Sequence, residues 1–254
     1  MKNIIITAGG TIENIDEVRK LTNTSTGKLG SIICNEIVRY KDIDEDLQIH
    51  YILSTNAEIP LVVPDKIKYY KVTDTDSVIK IVDYLFQKYK IDCFIHSMAV
   101  SDFTASYSIQ VEQLVNELVN EIRNTTDRDF RKKVTSILQM PMNTIDKNHK
   151  ISSKNDIIIN LKRTPKIIST IKKYDKEVFL VGFKLLSHVS KEQLISAAAK
   201  LEEENQCNIV VANDIRDISE KNHIAHLIKG GISRNIFNTK EEIAKGLIAE
   251  IFRR

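Results

Sequence analysis

Apolar residues occur along the chain as short runs alternating with stretches of helical period. Asn3 to Ile6 reads as a buried strand, ended by Thr7-Ala8-Gly9-Gly10-Thr11. A polar stretch leads into an apolar helix pattern (Ile32, Ile33, Ile37, Val38), giving a helix over about 27–40. Leu47–Leu53 is a second strand, and the alternating Lys66–Val72 a third, suited to a sheet edge. Thr73–Asp76 forms an N-cap cluster before a helix carrying Val78, Ile79, Ile81, Val82, Tyr84 and Leu85. Ile91–Val100 is a buried strand running into small residues.

The rhythm then breaks. Gln110–Ile122 predicts a helix, Arg123–Lys133 is densely charged, and 138–148 has Pro141 and little period. This segment reads as an insertion or flap with helical content; an ordinary helical layer of the main domain is the alternative. The rhythm resumes with a strand at 156–161 and a helix that Pro165 opens and that runs through Ile171. A strand follows at 178–183, then a helix over 191–204 that Ser190 caps with Gln193 as a capping box. Asn208–Asp214 is another buried strand. Ala225–Ile228 and Arg234–Phe237 flank Lys229-Gly230-Gly231 as a hairpin, and a last helix spans 240–252. Strand and helix in alternation predict a mainly parallel sheet with right-handed crossovers: a Rossmann-like three-layer α/β/α fold. One domain over 1–254 is expected, with the insertion at about 103–155.

Two small-residue turns, Gly9-Gly10 and Ser25-Thr26-Gly27-Lys28-Leu29-Gly30, bracket the segment before the first helix, and the second opens it. A helix start with unpaired N–H groups and partial positive charge is suited to phosphate. The spacing excludes a Walker loop, because Thr22 and Leu29 stand where Gly and Ser or Thr are needed. The dinucleotide fingerprint is also missing, since Ala8-Gly9-Gly10 runs into Thr11-Ile12-Glu13, and the second strand ends in Ser54-Thr55-Asn56 with no ribose-binding acid. Gly9-Gly10 alone is equally compatible with a tight turn.

Ligands of open parallel sheets bind beyond the carboxyl ends of the strands. Here those ends are Gly9-Gly10, Met98 to Asp102, Gly182-Phe183-Lys184 and Ala212-Asn213-Asp214. Polar groups emerging from apolar runs there point to a site, although Asp214 by itself reads as a cap.

Composition narrows the class. The chain has 254 residues, 42% of them hydrophobic, and 37 basic against 34 acidic residues give a net charge of +3. That supports a true core and argues against a nucleic-acid partner. Three dispersed cysteines (Cys34, Cys93, Cys207) fit reduced thiols rather than a disulfide framework or zinc site. With no 18-residue apolar run and no signal-peptide pattern, a cytoplasmic protein without a membrane partner is expected. No metal ligand set is assigned; His223 and His226 read as incidental.

The ordered set Ile6 to Thr11, Val18-Arg19, Thr22 to Gly30, Ala99-Val100-Ser101-Asp102, Lys150 to Lys154, Thr164 to Ile168, Val181-Gly182-Phe183 and Ala212-Asn213-Asp214 resembles the phosphopantothenoylcysteine synthetase (phosphopantothenate–cysteine ligase) family of coenzyme A biosynthesis, over nearly the whole chain. Lys166 stands where an acid is common in that family. Lys200 approximates the first of its paired lysines, and Asn205 takes the second place. No flavin decarboxylase half is present, so the stand-alone form without flavin is expected.

The resemblance implies that a nucleoside triphosphate, CTP rather than ATP, activates the carboxylate of 4′-phosphopantothenate, with Mg²⁺ on the phosphates. L-cysteine then displaces the nucleotide. It implies catalytic roles for Asn23 and Lys150, and phosphopantothenate contacts from Arg19, Asn23, Met98, Ala99 and Asp102. The nucleotide would be held by Gly10, Ser25, Gly27, Gly30, Asp102, Lys150, Pro165, Ile167, Ile168, Phe183, Lys200 and Asn213. A homodimer, with Arg19 acting across its interface, is also implied. Two rivals stand beside it: an NAD(P)-dependent Rossmann oxidoreductase, and a non-catalytic nucleotide-binding module.

Overall fold

The computed structural model describes residues 2–40, 46–61, 64–123, 127–146, 148, 151–152, 154–219 and 222–253. In chain order these form β1 (Asn3–Ala8), β2 (Ile12–Asn14), β3 (Lys20–Thr22), α1 (Lys28–Arg39), β4 (Gln48–Ser54), β5 (Ile67–Val72), α2 (Thr75–Lys88), β6 (Cys93–His96), β7 (Phe103–Gln110), α3 (Val111–Arg123), α4 (Asp127–Gln139), β8 (Ile157–Arg163), α5 (Ile168–Tyr174), β9 (Phe179–Leu186), α6 (Lys191–Asn205), β10 (Ile209–Asp214), β11 (Ala225–Lys229), β12 (Ile232–Phe237) and α7 (Lys240–Phe252). The chain divides into two compact units. One comprises Met1–Thr11, Asn23–Val100 and Pro165–Arg254; the other comprises Ile12–Thr22 and Ser101–Thr164.

The first unit is the Rossmann-like sheet that the alternating pattern predicts. Its eight strands run in the order β12-β11-β10-β9-β6-β1-β4-β5. The six from β10 to β5 are parallel, and the β11–β12 hairpin is antiparallel at one edge. Such strands are buried on both faces, so successive residues serve different layers. Ile4 and Ile6 pack with Ile33, Ile37, Leu247 and Ile251 of α1 and α7. Ile5, between them, packs on the other face with Val78, Val82, Ile171 and Leu194 of α2, α5 and α6. The chain winds outward from β1 to β5, then returns to β6 on the other side of β1. The switch point of the sheet therefore lies between β1 and β6, where such folds leave a crevice.

The helix caps follow the sequence. Asp74 and Ser77 close a capping box on α2, and Ser190 and Gln193 one on α6. Pro165 does not open α5. The helix begins at Ile168, after a turn in which Ser169 N–H donates to Lys166 O and Thr170 N–H to Ile167 O.

The second unit corrects two expectations. The strand at 156–161 does not resume the parallel sheet: β8 pairs antiparallel with β7. Its residues are half-buried or exposed, whereas a central parallel strand is covered on both faces. The charged stretch after 123 contains α4, so the segment is more helical than its sparse apolar pattern indicates. The β2–β3 hairpin belongs to this unit too. Among the described residues, no helix is long and apolar enough to cross a membrane. The three cysteines are buried, and none of them is in a disulfide.

Candidate functional site

The first unit builds a phosphate-type cradle from the carboxyl end of β1 and the start of α1. Gly9 has φ +91° and Gly27 φ +72°, in the left-handed region that glycine alone enters cheaply. Both also sit where no Cβ fits. One on Gly9 would stand 2.1 Å from Ser54 Oγ, and one on Gly27 2.9 Å from the Gly9 nitrogen. Close approach also explains Gly10, against the Asn23 carbonyl at 2.5 Å, and Gly30, against Ala8 Cβ and Ser97 Oγ at 2.8 Å. The turn after β1 and the start of α1 are thus packed backbone against backbone. No side chain caps α1 at Gly27, and its first turn holds no acid. The positive end of the dipole is left for an anion.

The loop from Asn23 to Thr26 leading into this helix is largely exposed. Ser25 N–H donates to Asn23 O (2.9 Å), and Glu58 N–H donates to Thr26 O (2.9 Å). The Asn23 side-chain amide donates to the Ala99 carbonyl at 3.3 Å. Ala99 in turn lies beside Gly10, with its N–H on Gly9 O (2.8 Å) and its carbonyl accepting from Thr11 N–H (3.2 Å). Gly10, Asn23 and Ala99 therefore meet at the switch point. Met98 is buried next to them, its N–H on Thr7 Oγ1.

Strand alternation sorts the remaining candidates by face. Phe183 packs with the α1–α7 layer, and Asn213, two residues beyond its partner Val211, shares that face. Ile167 and Ile168 pack on the opposite face, where a Cβ on Gly182 would meet Ile168 Cδ1 at 3.1 Å. Phe183 is therefore not brought together with Ile167 and Ile168. Pro165 is exposed before α5. Lys200 lies late in α6, 3.7 Å from Glu204 and nearly three turns from the helix end that faces the strand carboxyl ends. Asp214 does act as a cap. Its buried carboxylate takes the Arg216 guanidinium and the N–H groups of Arg216, Val189 and His188, and the Arg216 side chain above all holds it well below the usual carboxylate range.

In the second unit, Arg19 Nη1 lies 2.6 Å from Asp16 Oδ2 and 3.1 Å from the Ile151 carbonyl. Asp102 is exposed, and its carbonyl accepts from Thr164 N–H at 3.1 Å. Lys150 lies outside the described residues.

Sequence reasoning missed three contributors. Ser54 Oγ accepts from Gly10 N–H at 3.1 Å; the polar end of its strand was the available signal. His96 Nδ1 sits 3.0 Å from Thr7 Oγ1, and burial pushes its pKa down to about 4. Neither residue carries a motif. Asp16 precedes Arg19 by three positions, a spacing that suits an Asp-capped turn. His223 and His226 stand on opposite faces of the sheet edge: His223 lies near Lys240 of α7, whereas His226 Nδ1 faces Ser233 Oγ at 3.0 Å. They form no metal pair.

Comparison with known proteins bears on the whole chain. The family described as DNA/pantothenate metabolism flavoprotein C-terminal domain matches residues 1–136 and 140–254. The coenzyme A biosynthesis bifunctional protein CoaBC of Thermococcus kodakarensis is 29% identical over 251 residues, 98% of this chain and 51% of that protein. The chain thus spans about half the length of the curated relatives it matches. The crystal structure of the DNA/pantothenate metabolism flavoprotein from Streptococcus pneumoniae is 32% identical, with TM-score 0.77, covering 99% of this chain and 98% of that one. A mutant of Cab2 in complex with phosphopantothenate-cysteine shares the fold at 14% identity, with TM-score 0.68, covering 99% of this chain and 87% of that one.

Proposed function

The chain belongs to the DNA/pantothenate metabolism flavoprotein C-terminal domain family, and from that premise we propose that it is a phosphopantothenate–cysteine ligase of coenzyme A biosynthesis, acting as a homodimer. The observation that carries this reading is the open N-terminus of α1 at the sheet's switch point, with the Asn23 amide reaching Ala99 beside it. The names of the relatives and of the Cab2 complex support the substrate class.

A carboxylate resists attack by an amine because its leaving group would be oxide. In the proposed first step, the carboxylate of 4′-phosphopantothenate attacks the α-phosphorus of a nucleoside triphosphate, CTP in preference to ATP. An acyl-nucleotide forms and pyrophosphate leaves. In the second, the amine of L-cysteine attacks the acyl carbon, the amine loses its proton, and the nucleoside monophosphate leaves with the bonding electrons.

The residues divide these tasks. Backbone N–H groups at Gly27 and Gly30 with the Ser25 hydroxyl hold phosphate oxygens, at no reorganisation cost because the glycine packing sets them beforehand, while Gly10, whose N–H is taken by Ser54 Oγ, keeps the turn bare of a side chain so that the phosphates can approach. The Asn23 amide orients the acyl intermediate, while Met98 and Ala99 line its path. Arg19 and Lys150 offset anionic charge on phosphopantothenate and the α-phosphate. Phe183 and Asn213, sharing one face, take the base and phosphates; Ile167 and Ile168 support α5 from the other. Lys200 receives no role. Among the described residues no group of three or more His, Cys, Asp or Glu is placed to hold a metal. Mg²⁺ entering on the triphosphate would neutralise phosphate charge.

The test is pyrophosphate release from the purified chain with 4′-phosphopantothenate and Mg²⁺, with CTP and ATP in separate reactions, with and without cysteine. Release that depends on phosphopantothenate, with coupled product only when cysteine is present, is expected. Lys150→Ala should lower acyl-nucleotide formation by orders of magnitude. Nucleotide binding by folded protein without release would leave the non-catalytic module instead.

A further inference from the structure

The turn between β2 and β3 reads Ile15-Asp16-Glu17-Val18-Arg19. Asp16 Oδ1 accepts from Val18 N–H (2.8 Å) and Arg19 N–H (2.5 Å), the local geometry that a short polar side chain gives a turn. Backbone bonds from Ile15 and Asp16 N–H to Arg19 O complete it. The turn itself needs only this one oxygen, and Asn or Ser would serve.

The second oxygen does something else. Asp16 Oδ2 takes Arg19 Nη1 at 2.6 Å and, from 135 positions along the chain, Ile151 N–H at 3.1 Å. The same Arg19 nitrogen donates to Ile151 O at 3.1 Å. Asp16, Arg19 and Ile151 thus form a closed ring in which Ile151 is held by both its N–H and its carbonyl. The Asp16 side chain is fully buried, as is Ile151. Burying a carboxylate is costly unless it is paired and bonded throughout. Here four donors meet it, and the Arg19 backbone N–H foremost, with Ile151, Val18 and the guanidinium, holds its pKa well below the usual range.

We infer that Asp16 is a positioning residue: through one carboxylate it sets the Arg19 guanidinium and the main chain at Ile151 in a common register. The Arg19 guanidinium, assigned to a substrate anion, and the main chain at Ile151 are thereby referred to one buried group. The consequence for catalysis rests on the ligase reading; the clamp itself does not.

Asp16→Asn separates the two uses of the carboxylate, because the amide keeps an oxygen for the turn but puts an N–H₂ where Ile151 N–H and Arg19 need an acceptor. In amide hydrogen exchange, Ile151 should exchange at least tenfold faster in the variant while Val18 and Arg19 stay within about threefold of wild type. In pyrophosphate release, kcat should fall at least tenfold with KM for the triphosphate within about twofold. Arg19→Met should cost no more in the Asp16→Asn background than a small residual factor, because the two act as a unit. Unchanged protection of Ile151 overturns the inference, as do multiplicative effects of the two substitutions. If Asp16→Asn does not fold, Asp16→Ser, which caps the same turn but is too short to reach Ile151, is measured the same way. A wild type that releases no pyrophosphate overturns the ligase reading, and the exchange data alone then decide the clamp.

Discussion

Gly27, the first residue of the turn into α1, packs so closely on Gly9 that a Cβ there would stand 2.9 Å from the Gly9 nitrogen and 3.0 Å from Ala57 Cβ. Two left-handed glycines from separate turns share one contact, and the placement of the helix start against the turn after β1 depends on it.

Gly27→Ala should therefore destabilise the fold by about 2–4 kcal/mol, from the left-handed backbone and the overpacking together. It should also weaken triphosphate binding more than tenfold. Urea midpoints and nucleotide titration check both. A midpoint unchanged from wild type would show that the contact can relax.

Asn23→Asp keeps the shape of the side chain but replaces the amide that donates to Ala99 with a carboxylate facing a carbonyl. A fall in kcat of about 10²-fold with a nearly unchanged KM for the triphosphate is expected, since the loss lies in the acyl-transfer geometry. Steady-state pyrophosphate release measures it.

Phe183 and Ile168 occupy opposite faces of the central sheet. Phe183→Ala should raise the KM for the triphosphate roughly tenfold, consistent with loss of an aromatic platform of about 1–2 kcal/mol. Ile168→Ala should mainly lower stability. Equal KM effects from both would argue against a base site on the α1 face.

Burial pushes the pKa values of His50 and His223 down to about 4, with Lys68 and Lys88 adding to the effect at His50 and Lys240 at His223. Between pH 6.5 and pH 4 the unfolded chain binds protons that the folded chain refuses, so stability falls as pH falls through that window. At pH 5 each histidine should cost about 1–2 kcal/mol relative to pH 7. The drop in denaturation midpoint should shrink in His50→Asn, and an equal drop in that variant would remove His50 from the cause.

Asp214 holds the main chain at His188 and Val189 beside the start of α6, together with Arg216. Asp214→Asn should lower the denaturation midpoint at neutral pH, because the donors around it lose a charged acceptor. Its folded-state pKa is depressed, so this contribution is present above the ordinary carboxylate range and is lost as pH falls below it. Wild type and variant should therefore converge in midpoint as the solution is acidified.

The sequence alone determined the elements whose signals are local. The presence of the sheet strands, the N-cap of α2, the capping box of α6 and the β11–β12 hairpin rest on residues a few positions apart, and a buried parallel strand announces itself by a continuous apolar run. The glycine turns were legible for the same reason, whereas Asn23 was singled out by the family resemblance alone. Only tertiary structure decided what depends on pairing and on faces. Strand β8 joined β7 rather than the parallel sheet, because partner choice is set by exposure of the assembled faces and not by apolar content. Phe183 parted from Ile168 because side chains in a strand alternate by single residues, and the layer each one meets is fixed elsewhere in the chain. Asp16 found Ile151 across 135 positions, a contact that no spacing in the sequence encodes.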